Sequence, residues 1–175
     1  MKRACILLVT LIGLYIGARA LNLVRPLKNS GLGMVPSLNN GDFVLMEGFT
    51  YLFTNPKRGD LVVFKTKGIP SASGEFYIKR IIGKPNETLH IESENIYINE
   101  KETTLNNEQG RIKFVPISKS QDSENIKIPP SNYFVLGDNG QNSFDSRFFG
   151  CVPEQNIFGK ICFRYFPLDK IGFVK

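Results

Sequence analysis

Phe76-Tyr77-Ile78-Lys79-Arg80-Ile81-Ile82 is a β-branched and aromatic run interrupted only by two adjacent cations. Its composition favours a strand, where such side chains pack well on a pleated surface. Lys79 alternates with Ile78 and Arg80, so it faces away from both. If it faces inward, desolvation disfavours the ammonium and leaves an amine able to accept a proton. If it faces outward, it is an ordinary cation on a half-buried strand, which alternation alone favours. A lysine base needs no histidine.

Similar runs lie on both sides: Asp42–Met46, Asp60–Phe64, Asn95–Ile98, Tyr133–Leu136 and Gly159–Tyr165 are short, rich in strand formers, and bounded by Gly, Pro, Asn or Asp. Past the amino-terminal stretch no window shows a long helical period. The expectation is a mainly β chain, an antiparallel sandwich or partly closed barrel. From Lys101 to Pro130 the composition turns polar, as in Asn106-Asn107-Glu108-Gln109-Gly110, and reads as a mobile excursion away from the chemistry.

With 175 residues, 42% hydrophobic and 22% charged, the chain suits one domain plus an appendage. The net charge of +6 arises from basic residues scattered singly or in pairs, which argues against nucleic acid and weakly favours an anionic lipid surface. Three cysteines, Cys5, Cys151 and Cys162, make neither a disulfide framework nor a Cys-x-x-Cys site, and a Cys151–Cys162 bridge stays open against two buried thiols. The one histidine, His90, lies in the alternating run Thr88-Leu89-His90-Ile91 and reads as a surface residue, which counts against a Ser-His-Asp triad. No metal or organic cofactor is implied.

Lys2 and Arg3 precede an apolar or small-residue run from Ala4 to Ala18, and after Arg19 the chain continues Ala20-Leu21-Asn22-Leu23-Val24. Residues 1–24 read as a membrane anchor near the lower limit of the roughly 17–25 residues that span a bilayer. The basic end would stay cytoplasmic, leaving residues 25–175 outside. The competing reading is a removable signal peptide, because Ala18-Arg19-Ala20 has the small-x-small form of a cleavage site.

Several blocks then occur in a telling order: Ser30-Gly31-Leu32-Gly33-Met34-Val35-Pro36-Ser37-Leu38, Gly41-Asp42-Phe43, Arg58-Gly59-Asp60-Leu61-Val62-Val63-Phe64, Tyr77-Ile78-Lys79-Arg80 and Gly137-Asp138-Asn139-Gly140-Gln141-Asn142-Ser143-Phe144-Asp145-Ser146-Arg147. In order and wording they resemble type I signal peptidases, the membrane-bound Ser/Lys endopeptidases that remove signal peptides from exported preproteins. The resemblance leaves only residues 101–130 unmatched. It implies an antiparallel β domain of the signal peptidase type behind one transmembrane helix, in a bacterial plasma membrane. It also implies Lys79 as general base, Ser143 as the hydroxyl supporting the lysine, Asp145 and Arg147 as the pair bracing the site, and Met34, Pro36, Tyr77 and Ile78 against the substrate.

The nucleophilic serine of that family stands immediately before Met-x-Pro, where this chain has Gly33. The family's Arg-Asp is replaced by Gly140-Gln141, which removes two charges. Ser37 already fills a family position, and Ser30 lies three residues from Gly33, about 10 Å if extended. Cleavage is therefore expected to be very poor or absent. Three readings follow: an endopeptidase of signal peptides with a changed or rebuilt site; a non-catalytic binder of signal peptides that shelters preproteins or partners an active paralogue; and a small secreted β protein.

Overall fold

The computed structural model describes residues 23–72, 74–92, 94–107, 110–112 and 125–174, with Ile6, Thr10, Gly13 and Gly17, which are helical. Most of the expected anchor lies outside these residues. Among the described residues no helix is long and apolar enough to cross a membrane.

The strands are β1 (Val24–Lys28), β2 (Phe43–Glu47), β3 (Leu61–Lys65), β4 (Phe76–Gly83), β5 (Thr88–Glu92), β6 (Asn95–Ile98), β7 (Lys101–Thr103), β8 (Asn106–Asn107), β9 (Gly110–Arg111), β10 (Ile126–Lys127), β11 (Asn132–Leu136), β12 (Val152–Pro153), β13 (Ile157–Phe166) and β14 (Gly172–Phe173). An eight-stranded antiparallel sheet runs β1-β2-β13-β3-β4-β11-β12, with β14 on β13, and a four-stranded sheet runs β10-β5-β6-β7. The chain is mainly β and antiparallel, as its composition suggests. Each long run identified in the sequence becomes a strand to within two residues at either end.

The large sheet is buried on both faces. Val62 and Phe64 of β3 pack with Ile81, Tyr133 and Val135, whereas their neighbours Leu61 and Val63 pack with Met34, Leu38, Val44 and Met46. A strand covered on both sides loses the alternation of apolar and polar residues. The last five residues of β4, Lys79–Gly83, are all buried. A third cluster joins the two sheets through Ile82, Leu89, Ile96, Phe134 and Leu136.

Two boundaries differ from expectation. Val24, assigned to the anchor, is the first residue of β1 and pairs with Glu47 of β2. The polar stretch 101–130 contributes strands β7 to β10 where it is described, and Ile112 and Ile128 are buried in the third cluster. Those isolated isoleucines pin the segment to the core, a signal the surrounding polar residues dilute.

Cys151 and Cys162 are free thiols, and Cys162 Sγ donates to the Leu45 carbonyl at 3.3 Å; Cys5 lies outside the described residues. His90 stacks on Tyr97, with ring centroids 4.7 Å apart. Phe49 and Leu52 are exposed, while Phe43 is half-buried against Tyr165 and Phe166.

Candidate active site

β4 lies inside the large sheet, hydrogen-bonded to β3 on one side and, from Arg80 onward, to β11 on the other. Lys79 lies opposite Val62, shares its face, and is 8% exposed. The inward orientation, which alternation alone disfavours, is the one adopted. Lys79 Nζ stands 5.6 Å from the centre of the Tyr77 ring. Burial holds the amine below the ordinary lysine range; Arg147 pushes the same way, while Asp145 and Asp138 oppose it. Desolvation dominates, which favours a neutral amine able to take a proton.

Gly33 sits in the loop between β1 and β2, facing this amine. Its carbonyl accepts from Asn139 N at 3.0 Å, and Asn139 Nδ2 donates to the Leu32 carbonyl at 3.1 Å, tying the loop to the segment after β11. A Cβ built on Gly33 would lie 3.2 Å from Lys79 Nζ, 3.3 Å from the Asn142 carbonyl oxygen and 3.5 Å from Ser143 Cβ. Gly33 is not among the residues of positive φ, so its backbone admits a side chain. A serine there would place its hydroxyl within reach of the lysine.

Gly137 is a glycine for a different reason. A Cβ on it would collide with Ser143 Oγ and with the Gly33 carbonyl, so the approach of the two loops depends on its absence. Ser143 is 6% exposed, and its Oγ has no hydrogen-bond partner among the described residues. The hydroxyl is near the lysine as the resemblance implies, without the bond to it.

Asp145 is fully buried and links Gly137 to Arg147. Its Oδ2 accepts from Gly137 N at 3.0 Å, and Arg147 donates to Oδ1 through Nε and to Oδ2 through Nη2, both at 2.8 Å. Arg147 Nη2 also donates to the Gly140 carbonyl at 2.8 Å. The pair thus braces the 137–143 loop through backbone groups, although Gly140-Gln141 carries no charge.

These elements border a cleft of about 490 Å³ lined by Gly33, Met34, Tyr77, Ile78, Lys79, Asn142 and Phe144, and extending along Leu27–Leu32. Of the expected substrate contacts, Met34, Tyr77 and Ile78 line it, and Pro36 does not. The loop turns into the core there, with Leu38 N donating to the Met34 carbonyl at 2.8 Å, which carries Pro36 away. Ser30 also lines the cleft, but the atoms nearest a Gly33 Cβ belong to Lys79, Asn142 and Ser143.

A second network was not anticipated from the sequence. Arg80, 1% exposed, donates to Asp138 through Nε at 2.8 Å and Nη2 at 2.7 Å, to Ser37 Oγ at 3.1 Å and to the Gly59 carbonyl at 2.7 Å. Ser37 Oγ closes the triangle by donating to Asp138 Oδ2. Farther along the same loop, Arg164 Nη1 reaches the Ser37 carbonyl at 3.0 Å and Asp42 Oδ2 at 3.2 Å. The available signal was an arginine inside an apolar run and an aspartate directly after a buried strand. The network clamps the Gly33–Leu38 loop to the loop after β11.

Chemically, the site offers an amine disposed to be neutral, an unsatisfied hydroxyl, and a glycine whose Cβ position lies 3.2 Å from the amine nitrogen and 3.5 Å from Ser143 Cβ. It holds a base and supplies no nucleophilic side chain at position 33.

The sequence profile described as "Signal peptidase, peptidase S26" matches residues 1–166. The "Signal peptidase I" of Leptolyngbya laminosa is 36% identical over 79% of this chain and 67% of its own length. "Signal peptidase I T" of Bacillus subtilis (strain 168) is 33% identical over 87% of this chain and 79% of that protein. A protein named "Inactive signal peptidase IA", from Staphylococcus aureus (strain Mu50), is 30% identical over 78% of this chain and 76% of its own length.

Proposed function

The chain belongs to the signal peptidase family, peptidase S26, and from that premise we propose that it binds signal peptides of exported preproteins without the covalent route to cleavage. The observation that carries this is Gly33, whose Cβ position is 3.2 Å from the nitrogen of the buried Lys79, so the group missing is the one the lysine would activate. Removal of a covalent nucleophile leaves only the residual rate supplied by binding and electrostatics. A relative named "Inactive signal peptidase IA" supports the absence of cleavage in this reading. In this reading Lys79, Ser143, Asp145 and Arg147 keep the cleft in shape, and residues 1–22 hold the domain at the outer face of a plasma membrane, beside its ligand.

A second reading is favoured by the same distance. Position 33 has an ordinary backbone conformation, so a serine fits, and Gly33→Ser converts the chain into a Lys79-dependent endopeptidase. The test incubates the full-length chain, in membranes, with a preprotein carrying a photocrosslinker in its signal peptide. The expected outcome is crosslinking with little cleavage, and cleavage at the signal peptide only in Gly33→Ser, abolished again by Lys79→Met. Cleavage by the unchanged chain at a rate comparable to Gly33→Ser overturns the binding role.

A further inference from the structure

An uncharged lysine nitrogen is itself a nucleophile, and in this chain no side chain at position 33 covers it. Among the described residues Lys79 Nζ makes no salt bridge, and the carboxylate of Asp145 is engaged by Arg147 and Gly137 N. The amine faces the Tyr77 ring at 5.6 Å and the bare backbone of Gly33, whose Cβ would lie 3.2 Å from the nitrogen. Burial, joined by Arg147, disfavours the ammonium. A desolvated lysine beside another cationic group is the arrangement in which an amine attacks carbonyl compounds. Ser143 adds a buried hydroxyl without a hydrogen-bond partner, and its Cβ is 3.5 Å from the same Gly33 Cβ position. Such a hydroxyl is costly to leave unpaired, and a ligand oxygen relieves it. The cleft beside the amine, about 490 Å³, is walled by Met34, Val63, Ile78 and Phe144. Besides Lys79, its charged lining residues are Lys28 and Glu75, one of each sign, so nothing there selects a charged ligand.

We infer that Lys79 is a covalent site for neutral, apolar aldehydes, which it holds in the cleft as an imine. The site needs only the cleft and the amine, and it stands whether or not signal peptides bind there. The Nζ lone pair forms a bond to the carbonyl carbon, and a proton passes from nitrogen to the carbonyl oxygen to give a carbinolamine. The carbon–oxygen bond then breaks, the oxygen leaves as water with the second amine proton, and the C=N bond closes. Ser143 Oγ is the free donor nearby for the departing oxygen. No oxidant or reductant takes part, so the adduct forms and hydrolyses reversibly. Gly33 is what leaves the amine open to the aldehyde, since a serine in its place would present a hydroxyl to the nitrogen.

The experiment treats the full-length chain in detergent, at neutral pH, with hexanal and cyanoborohydride, and maps the modified lysines by peptide mass. The reductant delivers hydride to the imine carbon and leaves a hexyl group fixed on nitrogen. Lys79 is expected to be alkylated about 10-fold faster than Lys84, whose side chain is 46% exposed. Unfolding the chain in denaturant should erase that preference. Anionic glyoxylate should modify Lys79 more slowly than hexanal does. Lys79→Met should lose the fast phase of hexyl incorporation and keep the slow labelling of surface lysines. Labelling of surface lysines with Lys79 spared in the folded chain overturns the inference, as does a preference for Lys79 that persists after unfolding. Equal rates with glyoxylate and hexanal overturn the apolar class of ligand.

Discussion

Lys79 and Arg80 are consecutive on β4, both are buried, and the fold treats them oppositely. Arg80 has a carboxylate, a hydroxyl and a carbonyl arranged around its guanidinium. Lys79 has an aromatic ring 5.6 Å away and no ion pair among the described residues. A buried cation with bonded partners is a fastener, since its charge is locked in place. A buried cation without them is disposed to give up its proton, and the shift of Lys79 is dominated by desolvation. Gly137 and Asp138 repeat the contrast one strand away: Asp138 completes the arginine's network, while Gly137 keeps the space beside the lysine narrow.

The largest expected effect is on the arginine side. Asp138→Ala leaves Arg80 buried without its carboxylate and should cost about 3–5 kcal/mol in denaturant unfolding. Replacing both partners by apolar residues should recover most of that loss. If Asp138→Ala is nearly silent, the network is not the fastener described. Next comes Gly137→Ala, whose methyl group meets a backbone carbonyl and should cost about 1–3 kcal/mol, against a smaller cost for Gly33→Ala, where the nearest atom is the end of a lysine chain. Equal costs would mean that the loops adjust freely.

The smallest effect is the most diagnostic. Lys79→Met conserves shape and should change stability by no more than about 1.5 kcal/mol, in favour of the variant. Because the folded pKa is lowered, the unfolded chain binds a proton that the folded chain releases, so the stability of the unchanged protein rises with pH across that window. The advantage of Lys79→Met is therefore greatest below the lowered pKa and disappears as pH passes the ordinary lysine range. Parallel stability profiles for the two proteins would place a charged lysine in the folded site.

Much of this was legible in the sequence where a local cause exists. The runs that became β2, β3, β4, β6, β11 and β13 carry their own propensity. The strands β7 to β10, β12 and β14 have two or three residues each and owe their pairing to partners elsewhere in the chain. β1 escaped because Val24-Arg25-Pro26-Leu27-Lys28 is basic and contains a proline, tolerated at the edge of the sheet. Lys79 was ambiguous from alternation because β4 is covered on both faces, so an inward and an outward lysine look alike in sequence. The bond between Arg80 and Asp138 spans 58 positions, and no local pattern announces it.

β1 has one more consequence. The chain enters the fold at Val24, runs along β2 as a paired strand to Lys28, and reaches the rim of the cleft at once. Five paired residues measure about 17 Å and do not bend like a linker. In the proposed membrane-held arrangement, β1 is the strut that would fix the standoff of the cleft from the bilayer. Spacers inserted ahead of Val24 lengthen the reach of the site; inserted after Lys28, they would loosen its aim.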